Sequence, residues 1–206
     1  MIITIDGYDG TGKTTLAKSL ADKYDFLYVE KPIIKMAQQK NKISYEEADK
    51  LVKIIEGRLF SNPIKNKMQI ANFYCNALMW LKQFGNKCNI VLDRGILTTY
   101  AVIGYPETED IFDKYVKKGA FLDASIYLTA DDEERVRRIY KNNPNDPDLK
   151  YPTKWRENNL EEFASRRGLN YYKIDTNNKT PEEVFKQAES FFNKQINRTK
   201  EDDNER

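Results

Sequence analysis

No histidine occurs among the 206 residues, so a histidine base, a histidine nucleophile and a histidine-ligated zinc are excluded and acid–base work falls to carboxylates. Cysteine is nearly absent: Cys75 and Cys88 stand without metal-ligand spacing, a usage that fits a reducing compartment. No apolar run reaches the length of a membrane span and no signal segment precedes the first apolar run, so the expectation is a cytoplasmic protein without a membrane partner. Excess charge is missing as well. Thirty-four basic residues against 32 acidic leave +2, which gives no electrostatic case for a nucleic-acid surface. Neither an internal repeat nor a composition break marks a second domain.

What is present is concentrated at the N-terminus. Gly7-Tyr8-Asp9-Gly10-Thr11-Gly12-Lys13-Thr14 is a complete G-x-x-x-x-G-K-[ST] phosphate loop between the apolar run Met1–Ile5 and a helical pattern of Leu16, Ala17, Leu20, Ala21 and Tyr24. Gly7, Gly10 and Gly12 let the backbone curl until successive N–H groups face one anion. Lys13 reaches the β- and γ-phosphates, Thr14 offers a hydroxyl to Mg²⁺, and the helix opening at Lys13 adds its positive end. The strand–loop–helix context separates this motif from a mere glycine-rich turn.

Five apolar runs, Ile2–Ile5, Phe26–Val29, Asn89–Leu92, Ser125–Leu128 and Tyr171–Ile174, alternate with helical patterns. Their near-continuous apolarity suits strands covered on both faces, so the expected fold is α/β, a five-stranded parallel sheet sandwiched by helices. Ser44-x-x-Glu47 and Thr180-Pro181-x-Glu183 read as helix starts, where a hydroxyl cap and a returning carboxylate satisfy orphan N–H groups. The stripe from Ile70 to Phe84, closed by Gly85, reads as core, with Tyr74 and Asn76 able to border a pocket. Residues 142–148, rich in asparagine and proline, predict a mobile loop, and the polar residues 198–206 predict a frayed, disordered tail.

Asp93-Arg94 closes a buried strand at the edge where open α/β sheets bind ligands. Asp93 can hold Mg²⁺ through water or orient the attacking oxygen, and Arg94 offers a planar donor fork to a phosphate; a structural ion pair is the competing account. On the helix after the fourth strand, spacing puts Arg135, Arg138 and Lys141 on one side, where guanidinium groups can close over a transferring phosphoryl. The alternative is a solvated face paired with Glu133 and Glu134. The adjoining Pro/Asn loop favours a lid over about residues 135–152.

The chain resembles the thymidylate kinase branch of the P-loop nucleoside and nucleotide kinases. Residues 5–15, IDGYDGTGKTT, resemble that family's opening, and residues 93–104, DRGILTTYAVIG, are similar to its D-R-Y-x-x-S-S-x-A-Y-Q-G run. The resemblance continues in order through Ser125–Leu128, the Arg138 helix and Ile174-Asp175. It implies a P-loop kinase fold with a helical lid, ATP as co-substrate with Mg²⁺, and a deoxynucleotide acceptor. It further implies that Asp9 meets the acceptor's sugar hydroxyl, Arg94 its phosphate, and Arg138 the lid side of ATP.

The expected sites follow. ATP falls to Gly7, Asp9, Gly10, Thr11, Gly12, Lys13, Thr14, Thr15, Arg135 and Arg138; Mg²⁺ to Thr14 and Asp93; the acceptor to Asp9, Glu30, Lys31, Tyr74, Arg94 and Thr98. Lys13, Asp93, Arg94 and Arg138 carry the chemistry. Departures cluster at the acceptor: Glu30-Lys31-Pro32-Ile33 stands where the family has R-E-P-G, the helix arginine after F-A-A-D has no counterpart in residues 73–77, and Val102 and Ile103 replace the Y-Q pair. A deoxynucleoside monophosphate with dTMP first is therefore expected, with altered base preference. The alternatives are a deoxynucleoside kinase using Glu30 as base on a 5′-hydroxyl, and a nucleotide-binding regulatory switch. The switch reading lacks support because Asn86-Lys87-Cys88-Asn89 fails the N-K-x-D element at its last position. Partners are small-molecule nucleotides, and a homodimer is left open.

Overall fold

A computed structural model of the chain describes every residue except 86, 105, 121, 147, 148, 150–153, 205 and 206, and side chains except, in addition, 64, 154–159 and 199–204. Strands β1 (Ile2–Gly7), β2 (Leu27–Val29), β3 (Ile90–Asp93), β4 (Ala124–Thr129) and β5 (Tyr171–Asp175) form one parallel sheet in the order β2-β3-β1-β4-β5. Ile5 pairs in register with both Asp93 and Ile126, so the β1 end that opens into the phosphate loop lies between the ends of β3 and β4. That is the point where successive crossovers turn to opposite sides of the sheet, and it leaves a crevice at the strands' carboxyl ends.

The two-residue period of β1 sorts its side chains. Ile3 and Ile5 face α1 (Lys13–Tyr24) and α9 (Pro181–Asn204), packing with Leu16, Leu20, Val184, Ala188 and Phe192. Ile2 faces the opposite cluster, built with α4 (Pro63–Lys82), α5 (Ile96–Ile103), α6 (Glu109–Lys117) and α8 (Lys154–Arg166). Thr4 and Asp6 share Ile2's side, and both are buried polar groups in an otherwise apolar strand.

A third cluster, Ile33, Ile34, Ala48, Val52 and Ala77, joins α2 (Pro32–Asn41), α3 (Tyr45–Phe60) and α4. Both expected helix starts are present: Ser44 and Glu47 form a reciprocal capping box on α3, and Thr180 and Glu183 exchange the same pair of bonds at α9. The helix bearing the Ile70 stripe ends at Lys82, and a hydrogen-bonded turn carries the chain on to Gly85.

Helix α9 continues to Asn204, through most of the segment expected as a polar tail. Once Val184, Ala188 and Phe192 fix the helix on the sheet, each further residue adds a hydrogen bond without a new nucleation step. The segment expected as a lid begins as α7 (Asp132–Asn142) and turns at Asn143–Asp146, where Asp146 N–H donates to the Asn143 carbonyl at 3.2 Å; residues 147, 148 and 150–152 of that expectation lie outside the described residues. Among the described residues no helix is long and apolar enough to cross a membrane.

Candidate active site

Two clefts meet at Asp9. One, about 560 Å³, runs along the phosphate loop beneath α7; the other, about 420 Å³, lies between β3's end and helices α2–α5.

The loop's glycines answer to geometry. Gly7, Gly10 and Gly12 have φ of 141°, 85° and 92°, a region side chains avoid. At Gly10 a Cβ would also stand 2.9 Å from the Arg135 carbonyl oxygen and at Gly7 it would run into the Leu128 carbonyl, whereas at Gly12 the space is open and conformation alone requires glycine. Gly12 caps α1 without a side-chain bond, so the first N–H groups of the helix are left to a ligand.

Lys13 is buried, and its ammonium donates to the Tyr8 carbonyl at 2.7 Å and to Asp9 Oδ1 at 3.2 Å. Burial, assisted by the nearby Arg94 charge, pulls its pKa down from 10.5 to about 8. Thr11 is buried too, its hydroxyl spent on the Tyr8 carbonyl. Thr14 and Thr15 are exposed to the cleft.

Asp93 brings the two halves together. Its Oδ2 accepts from the Thr14 hydroxyl at 2.5 Å and from Tyr28 at 3.4 Å, while its Oδ1 is buried with no hydrogen-bond partner among the described residues. Burial pushes this carboxyl's pKa up, against the Thr14 bond and the Lys13 and Arg94 charges. A buried carboxylate oxygen left bare beside a threonine hydroxyl is an all-oxygen donor set that fits Mg²⁺, which takes few protein ligands and completes its shell with phosphates and water.

Arg94 has φ 83° and donates through Nη2 to Asp9 Oδ1, with its backbone N–H bound to the Ile5 carbonyl at 3.0 Å. A side chain held in the left-handed region next to a cleft is strain retained at a candidate site. The following residue is Gly95, where a Cβ would lie 2.7 Å from Thr4 Cβ and 2.8 Å from Asp6 Oδ2.

That proximity exposes a residue the sequence reasoning missed. Asp6 is fully buried; its Oδ1 accepts from Gly95 N–H (2.8 Å), Thr98 N–H (2.7 Å) and the Thr98 hydroxyl (2.7 Å), and its Oδ2 from Thr4 (2.6 Å) and Ser125 (2.7 Å). One carboxylate therefore fixes the start of α5, and with it the turn carrying Arg94, to β1 and β4. The available signal was an acidic residue on the alternating face of an isoleucine-rich strand.

Arg135 and Glu30, both expected to bind ligands, lie outside the lining of both clefts. Arg135 does not face the phosphate cleft: it is buried, its guanidinium 5.9 Å from the Tyr8 ring centre, because α7 turns this position inward under Gly10. Arg137, Arg138 and Lys141 line the cleft instead. Arg138 is clasped by Glu134 at 2.7 Å, the Gly10 carbonyl at 3.3 Å and Thr176 at 3.0 and 2.7 Å, and Arg137 also pairs with Glu134, whose carboxyl is held down at about 2 by those bonds. The solvated-pair account of this helix thus holds for Arg137, while Arg138 bridges the loop to the end of β5.

In the second cleft Asp9, Lys31, Tyr74, Arg94 and Thr98 all line the wall, with Val102 and Ile103. Thr98's hydroxyl is already engaged, donating to Asp6 and accepting from Gly7 N–H at 3.1 Å, so it braces the loop more than it addresses a ligand. Glu30 is exposed and outside this lining; it accepts from the Tyr45 hydroxyl at 3.4 Å, and its charge is felt at Asp93 and Tyr28. Asn76 points away, accepting from Tyr115 at 2.8 Å. Glu56 and the Asp49–Lys53 pair on α3 complete the wall and were not foreseen.

Residues 3–148 match the family model described as deoxynucleoside kinase. Among curated proteins, the cytidylate kinase of Clostridium perfringens (strain 13 / Type A) is 29% identical over 154 residues, covering 68% of this chain and 69% of that protein. The cytidylate kinase of Mesomycoplasma hyopneumoniae (strain 7448) is 27% identical over 165 residues, covering 68% and 67%. Among solved structures, deoxyadenosine kinase from M. mycoides with bound dATP superposes with TM-score 0.58 at 18% identity, over 94% of this chain and 99% of the other. The same enzyme with products dCMP and a flexible dCDP gives 0.56 over 94% and 100%. At that identity the likeness is one of fold, the P-loop kinase fold.

Proposed function

This chain belongs to the deoxynucleoside kinase family, and on that premise we propose that it transfers the γ-phosphoryl group of ATP to a deoxynucleoside monophosphate seated in the cleft between β3 and helices α2–α5. The observation that carries this reading is the placement of two cations, Arg94 and Lys31, in the lining of the acceptor cleft, which meets the phosphate loop at Asp9. An acceptor phosphate is largely ionised at neutral pH, its second pKa being about 6, and attacks without a general base. That agrees with a chain that has no histidine and a Glu30 outside the cleft lining.

In this reading the loop N–H groups and Lys13 take the β- and γ-phosphates, Lys13 exchanging the Tyr8 carbonyl for phosphate oxygens. Thr14 and Asp93 would hold Mg²⁺, which when bound neutralises charge on the β- and γ-oxygens. Asp9 accepts from the acceptor's sugar hydroxyl, Arg94 turns its fork to the acceptor phosphate, and α7 covers the phosphate cleft and helps exclude water from it. Arg138 acts from beside Gly10, and the cleft-facing cations Arg137 and Lys141 join it. The resemblance by itself points to dTMP, but Val102 and Ile103 stand where that family has tyrosine and glutamine, so the base preference is set by other residues of this cleft and moves away from thymine.

A second reading, a deoxynucleoside kinase with Glu30 accepting the 5′-hydroxyl proton, is favoured by the family description and by Glu30's electrostatic reach to Asp93. Coupled ADP release with dTMP, dUMP, dCMP, dAMP and dGMP against the matching nucleosides separates the two. Turnover confined to nucleosides would overturn the monophosphate reading.

A further inference from the structure

We infer that Glu56 selects acceptors whose base carries an exocyclic amino group, cytosine, adenine or guanine, over thymine and uracil. The inference rests on the cleft between β3 and α2–α5 being the acceptor site. Asp9, Arg94 and Thr98 line the cleft at the sheet edge, while α3, which packs chiefly on α2 and α4 and not on the sheet, contributes Val52 and Glu56; the Arg94 charge reaches the Tyr74 phenol that meets Glu56. An acceptor with its reacting group at the sheet edge lays its base toward α3 in this proposal.

The groups waiting there are mostly apolar, Ile34, Val52 and Leu78 among them. Asp49 and Lys53 on the same helix neutralise each other at 2.6 Å. Glu56 is half-buried, and its Oε1 accepts a hydrogen bond from the Tyr74 hydroxyl, a neutral donor. Burial first, and then this bond, raises the Tyr74 pKa, so the phenol keeps its proton and stays the donor to Oε1. Lys53 lies within electrostatic reach of Glu56, yet its ammonium is committed to Asp49.

A carboxylate is acceptor-only and needs donors. Thymine and uracil present a single N–H flanked by a carbonyl on each side, so the second carboxylate oxygen meets an acceptor wherever the first finds that N–H. An amino group supplies N–H donors without this conflict, as when a carboxylate accepts from cytosine N4. A desolvated acceptor facing an acceptor loses both partners, which makes the discrimination steep.

Cytosine and uracil differ at the C4 amino-for-oxo exchange, so dCMP against dUMP isolates the contact. We expect kcat/KM for dCMP to exceed that for dUMP by about tenfold or more, and Glu56→Gln, whose amide can both donate and accept, to bring the two within about threefold. Tyr74→Phe should keep the dCMP preference, because it removes the competitor for Oε1 and not the carboxylate. Calorimetric binding of dCMP and dUMP to the full chain with ADP present should show the same order whether or not a variant turns over. If nucleosides alone are phosphorylated, the monophosphate reading falls and deoxycytidine against deoxyuridine decides the role of Glu56. Equal or better use of dUMP or dTMP, or a dCMP/dUMP ratio untouched by Glu56→Gln, would overturn the inference.

Discussion

Thr14 and Asp93, 79 residues apart, are joined by a 2.5 Å hydrogen bond from hydroxyl to Oδ2, so the first turn of α1 is pinned to the end of β3 and the other Asp93 oxygen is left bare in the interior. A metal between loop and strand would use both residues. Asp93→Asn keeps the shape and removes the charge; the expected result is a loss of about 100-fold in kcat together with a higher Mg²⁺ concentration for half-maximal rate. Metal titration of wild type and variant checks it, and an unchanged Mg²⁺ requirement would return Asp93 to a purely structural role.

Lys13 has a pH signature. Its folded-state pKa of about 8 lies below the ordinary 10.5, so between those values the unfolded chain holds a proton that the native state has released, and this residue's contribution to stability rises with pH across that window. Activity should run the other way. kcat/KM for ATP is expected to fall above about pH 8 as the ammonium is lost from the free enzyme, while kcat at saturating ATP persists to higher pH because bound phosphate restores the proton. Lys13→Ala should abolish the step in kcat/KM along with nearly all turnover while remaining folded by circular dichroism.

Arg94 combines a ligand fork with a strained backbone at φ 83°. Arg94→Ala and Arg94→Gly should both raise the acceptor KM by about tenfold or more, with a smaller change in kcat. They should differ in stability: the glycine variant is expected to be more stable than the alanine variant by about 1 kcal/mol, since glycine accepts the left-handed conformation. Urea denaturation of the pair measures this, and equal midpoints would remove strain from the account.

Asp6 is the acceptor for five donors and touches no substrate in this reading. Asp6→Ala should cost about 3 kcal/mol or more, because several buried donors lose their partner at once. Asp6→Asn should be milder in stability and still raise the acceptor KM without a matching change for ATP, because the turn bearing Arg94 loses its anchor. A change in Tm with no KM effect would make Asp6 a core residue alone.

The phosphate loop was readable because its requirements are local. Three positive-φ glycines, a lysine and a threonine at fixed spacing do their work within one strand–loop–helix, and the flanking apolar periods announce that context. The three central strands were legible for a similar reason, since burial on both faces leaves continuous apolar runs whichever neighbours they pair with, whereas the edge strands β2 and β5 are only partly covered. The inward turn of Arg135 was not readable. Spacing on α7 names which residues share a face, and only the helix's docking over Gly10 decides which face is buried.

By itself, then, the sequence determined the parallel α/β architecture and the nucleoside or nucleotide kinase class, and put the phosphate loop and Asp93-Arg94 at one edge of the sheet, since each depends on residues close in the chain. Tertiary structure alone decided that Asp6 bonds the turn after Arg94, which of the α7 arginines meets the phosphate-loop cleft, that Glu30 stands outside the lining of the cleft between β3 and α2–α5, and that Glu56 stands within it. Those relations join residues whose separation in sequence carries no geometric information until the sheet order and helix packing are fixed, and a side chain's chemistry is set by what then surrounds it.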